Sequence, residues 1–135
     1  MGILDGKNIV ITGVLTEASL AFGVAQLAQR EGATVVLTGA GRGLSITQRT
    51  ARKLDSPAEV YEFDVTVPEH VMQVQIAIGQ ALGTVDGVLH AIGFAPASCL
   101  GDDFMTAPWD DVAMALHISA YSLKTLADAF VPLMT

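Results

Sequence analysis

The sequence predicts an α/β protein built on a parallel sheet, and three observations carry this prediction. Short β-branched apolar runs alternate with stretches of helical apolar spacing in the order β-α-β-α-β-α-β-α. The apolar runs are uninterrupted, as is typical of strands buried on both faces. Hydrophobic residues make up 51% and charged residues 16% of a chain of 135 residues, so 1–135 is expected to form a single domain with its own core.

The first unit begins with a buried strand, predicted from the run Ile9–Thr12, which Gly13 breaks. A helix is predicted from about Ser19, because apolar or small residues recur at helical spacing at Leu20, Val24, Leu27 and Ala28. Gly32 follows this helix and is suited to a left-handed cap.

The second and third units repeat the pattern. Residues 34–38 predict a strand, residues 39–43 a glycine-rich loop and residues 44–54 a polar helix. The run from Val60 to Phe63 predicts the third strand. Pro68 opens the next helix, where its missing N–H costs nothing, and Gly83 closes it. One face of that helix is apolar and comprises Val71, Val74, Ile78 and Leu82.

The fourth unit has a strand predicted over 88–91, a loop over 95–107 and one long helix from Trp109 to Met134. Apolar or small residues occupy most of the circumference of this helix, which favours cover on two sides, with a partner subunit as one candidate for the second cover. Right-handed crossovers and double winding predict the strand order 3-2-1-4. Ligands of such sheets bind where the winding reverses, here at Gly13 and at Ile92-Gly93.

Composition excludes several functions. The net charge is −7 and the seven basic residues form no stripe for a phosphate backbone, so no nucleic-acid partner is expected. No apolar run reaches the ~18 residues that span a bilayer, so no membrane association is expected. The N-terminus lacks the features of a signal peptide, and Cys99 has no partner for an internal disulfide, which together favour a cytoplasmic location. Of the three histidines, His70 is expected to be solvated and His90 to lie in the core. Neither these two nor His117 has metal-ligand spacing, so no metal is expected.

The turn after the first strand is a candidate anion site. It reads Gly13-(x)5-Ser19-x-Ala21 and lacks the common G-x-G-x-x-G pattern. Gly13 permits a tight turn, Ser19 offers a hydroxyl and an N–H at a helix start, and Ala21 allows close packing of helix on strand. The alternative is an ordinary βα turn that binds nothing.

The same spacing resembles the cofactor loop of the enoyl-acyl carrier protein reductases, a branch of the short-chain dehydrogenase/reductase superfamily with a Rossmann fold. Four further segments resemble the family, most closely its mycobacterial-type members, and they are Leu4–Lys7, Asp64-Val65, His90–Phe94 and His117–Ser122. Together these segments extend over nearly the whole chain.

The resemblance implies hydride transfer from NADH to a trans-2-enoyl thioester of acyl carrier protein or coenzyme A. It implies that Ser19 and Leu20 hold the pyrophosphate, that Asp64 and Val65 flank the adenine, and that Phe94 faces the acyl substrate. The remaining cofactor-binding candidates are Gly13, Leu15, Arg42, Ala91, Ile92, Gly93 and Ile118. The alternatives are core packing for Val65, Ile92 and Ile118 and loop capping for Asp64.

Two features depart from the family. The loop after the second strand has no acid for the adenosine ribose, and its Arg42 could face a 2′-phosphate, so NADPH stays open beside NADH. The family's catalytic tyrosine and lysine, which follow a fifth strand and are separated by six residues, have no counterpart before Thr135. The chain is therefore expected to be an N-terminal half that is truncated before strand 5, has no catalytic residue and is inactive alone. Tyr121 and Lys124, three residues apart, are predicted to be a surface or interface pair.

Two other functions remain open. One is a non-catalytic Rossmann-like module that binds a nucleotide or a partner, favoured by the missing tyrosine and lysine. The other is a short-chain reductase of hydroxyl or keto groups, disfavoured by the scarcity of glycines in the first turn. The family forms tetramers, so a homo-oligomer through the helix of residues 109–134 is expected.

Overall fold

The computed structural model describes all 135 residues. The strands are β1 (Asn8–Ile11), β2 (Thr34–Gly39), β3 (Val60–Glu62) and β4 (Gly87–Leu89). The α-helices are α1 (Leu20–Arg30), α2 (Leu44–Ala51), α3 (Pro68–Leu82), α4 (Trp109–Leu116) and α5 (Ser122–Phe130). None of the helices combines the length and the apolar character that a membrane span requires.

The four strands form one parallel sheet in the order β3-β2-β1-β4, which confirms the predicted topology. Val10 of β1 is the central residue of its register, paired with Val36 of β2 and Val88 of β4. Because β1 is central, its carboxyl end and that of β4 meet at the point where the winding reverses.

Alternate residues of the sheet enter two cores, one on each face, so the molecule has three layers. Ile11 lies in the core shared with α1 and α2, and its neighbour Val10 lies in the core shared with α3 and α5. In the second core the rings of Phe63 and Phe130 meet edge to face, with centroids 6.0 Å apart. Val74 and Ile78 are buried there, as the apolar face of α3 predicts.

The buried face of α1 is made of small residues. Ala21, Ala25 and Ala28 are buried together with Phe22, whereas Leu20 is 92% exposed and Leu27 is 59% exposed. Helical spacing correctly identifies the helix, but most of the large residues that reveal it face outward, and the buried face consists mainly of alanines. Gly32 has φ of +95° after the helix end, as expected of a left-handed cap.

The predicted single helix of residues 109–134 is wrong in detail. Between α4 and α5 lies a π-helical turn, His117–Tyr121, called the π-turn below. The α-helical part ends at Phe130, because Pro132 has no N–H for a helical hydrogen bond, and a 3-10 turn follows at Val131–Leu133. The predicted loop of residues 95–107 also contains two 3-10 turns, Ala97–Cys99 and Gly101–Thr106.

Three elements are shorter than predicted. The third strand ends at Glu62, the fourth ends at Leu89, and the second helix ends at Ala51. After the fourth strand, the N–H of Ala91 bonds the side chain of Thr12 instead of a strand carbonyl, so residues 90–94 leave the sheet. That departure shapes the cavity described next.

Candidate functional site

A cavity of about 530 Å³ lies at the carboxyl ends of the strands, a volume typical of small-molecule sites. Sixteen residues line it, and they come from the end of β2, from the segments after the four strands, from α2 and from the π-turn. Nine of the twelve predicted site residues are among them, namely Gly13, Leu15, Asp64, Val65, Ala91, Ile92, Gly93, Phe94 and Ile118.

Three predicted residues do not line the cavity. Leu20 is almost fully exposed, and Ser19 and Arg42 lie outside the wall. Arg42 is in the exposed 3-10 turn Gly41–Gly43, and Gly41 does line the cavity, so Arg42 lies beside the cavity mouth.

Gly13 lies where the chain after β1 passes close to the segment after β4. Its φ is +76°, and a Cβ at this position would lie 2.0 Å from the carbonyl oxygen of Ala91. The hydroxyl of Thr12 bridges the same two segments, donating to the carbonyl of Leu89 at 2.8 Å and accepting from the N–H of Ala91 at 2.9 Å. These hydrogen bonds join the end of β1 to the segment after β4 at the floor of the cavity, and no side chain fits at residue 13.

The turn between β1 and α1 is closed by its own serine. The Ser19 hydroxyl accepts from the N–H groups of Leu15 at 3.0 Å and Thr16 at 3.1 Å. The hydroxyl therefore accepts two N–H groups within the turn, and its own hydrogen has no acceptor in the structure. The first N–H groups of α1 lack intrahelical acceptors and supply the positive potential of a helix start.

Two threonines of α2 hold the other side of this turn, and the sequence analysis missed both. The Thr47 hydroxyl donates to the carbonyl of Val14 and the Thr50 hydroxyl to the carbonyl of Leu15, each at 2.6 Å. Both threonines are buried. Their spacing of three residues on one helical face was the available signal, because a buried hydroxyl must find a partner.

Asp64 and Val65 follow β3 at the opposite rim. The Asp64 carboxylate accepts from the N–H of Thr66 at 2.9 Å and from its hydroxyl at 2.6 Å, the loop cap that was the alternative interpretation. The Asp64 N–H donates to Nδ1 of His70 at 2.9 Å. The expectation of a solvated His70 is therefore wrong, because its ring is half-buried and accepts from the main chain. Val65 is buried in the second core and also lines the cavity.

The segment after β4 is tied to the helical layer by two serines, which the sequence analysis also missed. Nε2 of His90 lies 2.7 Å from the Ser122 hydroxyl, and the Ser119 hydroxyl bonds both main-chain groups of Phe94. Phe94 itself is half exposed at the cavity rim. His90 is thus hydrogen-bonded and half-buried, close to the expected core histidine.

The two tyrosines lie away from the cavity. Tyr121 is exposed, with the Lys124 ammonium 5.9 Å from its ring centroid, and Lys124 also pairs with Asp128, whose hydrogen bond raises the pKa of the lysine. Tyr61 lines a second cavity of about 380 Å³ near the amino end of β2, which contains no predicted site residue. Burial, with a hydrogen bond to Glu59, raises the pKa of Tyr61 to about 12.

Comparison with known proteins places these observations in a family. A family model described as enoyl-(acyl carrier protein) reductase matches residues 13–135. The enoyl-[acyl-carrier-protein] reductase [NADH] of Mycolicibacterium smegmatis is 44% identical over 98% of this chain and 51% of its own length. The corresponding [NADH] enzyme of Neisseria meningitidis is 38% identical over 99% of this chain and 52% of its own. The [NADPH] enzyme of Staphylococcus aureus is 34% identical over 92% of this chain and 49% of its own.

The chain spans about half the length of the curated relatives it matches. The match begins at Gly13, the first cavity residue, and includes every residue that lines the cavity. The chain therefore belongs to the enoyl-(acyl carrier protein) reductase family, a group within the short-chain dehydrogenase/reductases.

Proposed function

We propose that this chain is the cofactor-binding half of an enoyl-acyl carrier protein reductase and that it holds NADH in the cavity at the carboxyl ends of β1 and β4. The observation that carries the proposal is the meeting of Gly13, Asp64-Val65 and Ile92–Phe94 around one cavity at the point where the sheet's winding reverses. When bound, NADH supplies the hydride that reduces the 2,3-double bond of a trans-2-enoyl thioester.

Each part of the wall has its own role in this proposal. Asp64 and Val65 take the adenine, with the carboxylate accepting from the exocyclic amine while it also caps the turn at Thr66. The pyrophosphate lies over the start of α1 and binds main-chain N–H groups together with the Ser19 hydroxyl, which accepts two N–H groups within the turn and keeps its own hydrogen for a phosphate oxygen. Ala91, Gly93 and Ile118 line the path toward the nicotinamide, and Phe94 faces the acyl group.

NADH is the proposed cofactor, with NADPH as the alternative. The exposed Arg42 beside the cavity mouth favours the alternative, because a guanidinium binds a 2′-phosphate in a bidentate geometry. Substitution Arg42→Gln separates the two. If NADPH is the cofactor, Arg42→Gln is expected to raise the Kd for NADPH about tenfold or more and to leave the Kd for NADH unchanged. Should NADH be the cofactor, the parent binds NADH more tightly than NADPH and the substitution leaves that order intact.

Reduction itself needs a group that stabilises the developing enolate oxygen of the thioester. Neither Tyr61 nor Tyr121 lines the cavity, so we propose that these 135 residues bind cofactor without turning over substrate. The test is NADH oxidation with a short trans-2-enoyl coenzyme A thioester. We expect quenching of Trp109 fluorescence by NADH with no oxidation above background. Turnover at an ordinary enzymatic rate, about 10 s⁻¹, would mean that the catalytic group lies among these residues.

We also propose that the protein forms homo-oligomers through residues 109–134 and acts in the cytoplasm. Support for the first comes from large exposed apolar residues in this region, above all Trp109, Leu116, Leu123 and Val131. Support for the second is the single, unpaired Cys99.

A further inference from the structure

The cavity wall at residues 92–94 belongs to no helix or strand, yet its main chain is held. The Ser119 hydroxyl accepts from the N–H of Phe94 at 3.0 Å and donates to the carbonyl of the same residue at 2.9 Å. A hydroxyl can do both, since it has one hydrogen and two lone pairs. One side chain thus satisfies both main-chain groups of Phe94, as a neighbouring strand does in a sheet.

A second tie holds the start of this segment. The hydroxyl of Ser122 donates its only hydrogen to the carbonyl of Ile118 at 2.6 Å. It must therefore accept from Nε2 of His90, 2.7 Å away, so His90 carries a hydrogen on Nε2. Ser122 is completely buried, which keeps water from replacing this bond.

Both ties originate at the π-turn. Ser119 lies within it, Ser122 follows it directly, and Ile118 within it lines the cavity. A π-turn inserts an extra residue into a helix and is frequent at functional sites. In this chain it marks the place where the helix contributes Ile118 to the cavity wall and holds the adjoining wall segment at Phe94.

We propose that Ser119 and Ser122 are positioning residues, which set the wall formed by Ile92, Gly93 and Phe94 for the nicotinamide end of the cofactor and the adjoining acyl group. Neither serine lines the cavity, so each acts through the main chain of residues 90–94. The expected change in NADH affinity rests on the proposed function, whereas the expected change in hydrogen exchange at Phe94 is independent of any ligand.

The test compares Ser119→Ala with Ser119→Thr, which keeps the hydroxyl at an exposed position. We expect Ser119→Ala to speed amide hydrogen exchange at Phe94 by about fivefold and to raise the Kd for NADH by about fivefold, the ratio for one net hydrogen bond. Ser119→Thr is expected to stay within about twofold of the parent in both. The control is Ser56→Ala, because the exposed Ser56 hydroxyl makes no hydrogen bond and lies far from the cavity.

Ser122→Ala gives a second readout at His90. In the parent, ¹⁵N spectra of the His90 ring are expected to show the tautomer with hydrogen on Nε2. In Ser122→Ala the ring is expected to be no longer restricted to this tautomer. The inference is overturned if His90 carries its hydrogen on Nδ1, if Ser119→Ala matches Ser56→Ala in both exchange and affinity, or if Ser119→Thr behaves like Ser119→Ala. A parent that binds no NADH, with faster exchange in Ser119→Ala, would refute the proposed function and leave the positioning of Phe94 supported.

Discussion

Gly13 shows how one residue determines the geometry of the candidate site. Its positive φ and its approach to Ala91 are independent constraints, and both disfavour a side chain. At Gly41 the first constraint is present without the second, because φ is +53° and a Cβ would meet nothing within 4 Å. Comparing substitutions at Gly13 and Gly41 therefore separates the cost of the backbone conformation from the cost of the close contact with Ala91.

Gly13→Ala is expected to lower the free energy of unfolding by about 2–4 kcal/mol, about 1–2 from the left-handed conformation and the rest from displacing Ala91. Gly41→Ala is expected to cost only the conformational part, about 1 kcal/mol. Urea unfolding followed by circular dichroism measures both. Equal losses in the two variants would show that the contact with Ala91 has no energetic importance.

The hydroxyls that fix the site were the residues sequence reasoning missed. Thr12, Thr47 and Ser119 each bond the main chain of a segment at least 25 residues away. Spacing can place a hydroxyl on a buried face, as for Thr47, but it does not identify the main-chain partner, since any nearby carbonyl can accept. Gly13 and Asp64, by contrast, were predictable because a turn after a strand restricts which residue types fit.

At the scale of the element, α1 shows that hydrophobic spacing identifies a helix more reliably than it identifies the buried face. Leu27 is mostly exposed, whereas Ala25 is completely buried against the sheet. Leu27→Ala is expected to change the free energy of unfolding by less than about 0.5 kcal/mol. Ala25→Leu is expected to lower it by about 1–3 kcal/mol through overpacking. The reverse ranking in urea unfolding would place the large residues, not the alanines, against the sheet.

The carboxylate of Asp86 stabilises the start of β1 in a pH-dependent way. Hydrogen bonds from the N–H of Asn8 and from Lys7 hold the pKa of Asp86 below its usual range. The folded state thus favours the carboxylate, so this contribution to stability is present above the unfolded pKa, about 4, and is lost as pH falls through the lower folded value.

Asp86→Ala is therefore expected to lower the urea midpoint at pH 7, with the difference from the parent shrinking as pH falls below about 4. Asp102→Ala serves as the control, because that carboxylate bonds no N–H or cation in the structure. A difference between parent and Asp86→Ala that does not change with pH would contradict the assignment.

For the whole molecule, the strand order followed from alternating helices and strands, and the position of the cavity followed from the strand order. The break in the last helix did not follow, because the sequence of the π-turn, His117–Tyr121, is compatible with an α-helix. In the structure this turn and the residue after it are hydrogen-bonded to residues 90–94, which only the folded chain brings into contact.

The exposed apolar residues of 109–134 predict self-association. Leu123→Glu is expected to shift the parent assembly toward the monomer by burying a charge at the contact. Leu27→Glu is the matched control, since Leu27 has similar exposure on α1. Light scattering over a range of concentrations measures the mass. A parent that stays monomeric at high concentration would contradict the proposed interface.

The most direct test of the central claim is an NMR titration of the ¹⁵N-labelled chain with NADH. Saturable shifts are expected at amides around the cavity, including Leu15, Val65 and Gly93, with little change at Val35 and Ser56 around the second cavity. No saturable shifts, or shifts concentrated at Val35 and Ser56, would contradict the claim that the carboxyl ends of β1 and β4 form a dinucleotide site.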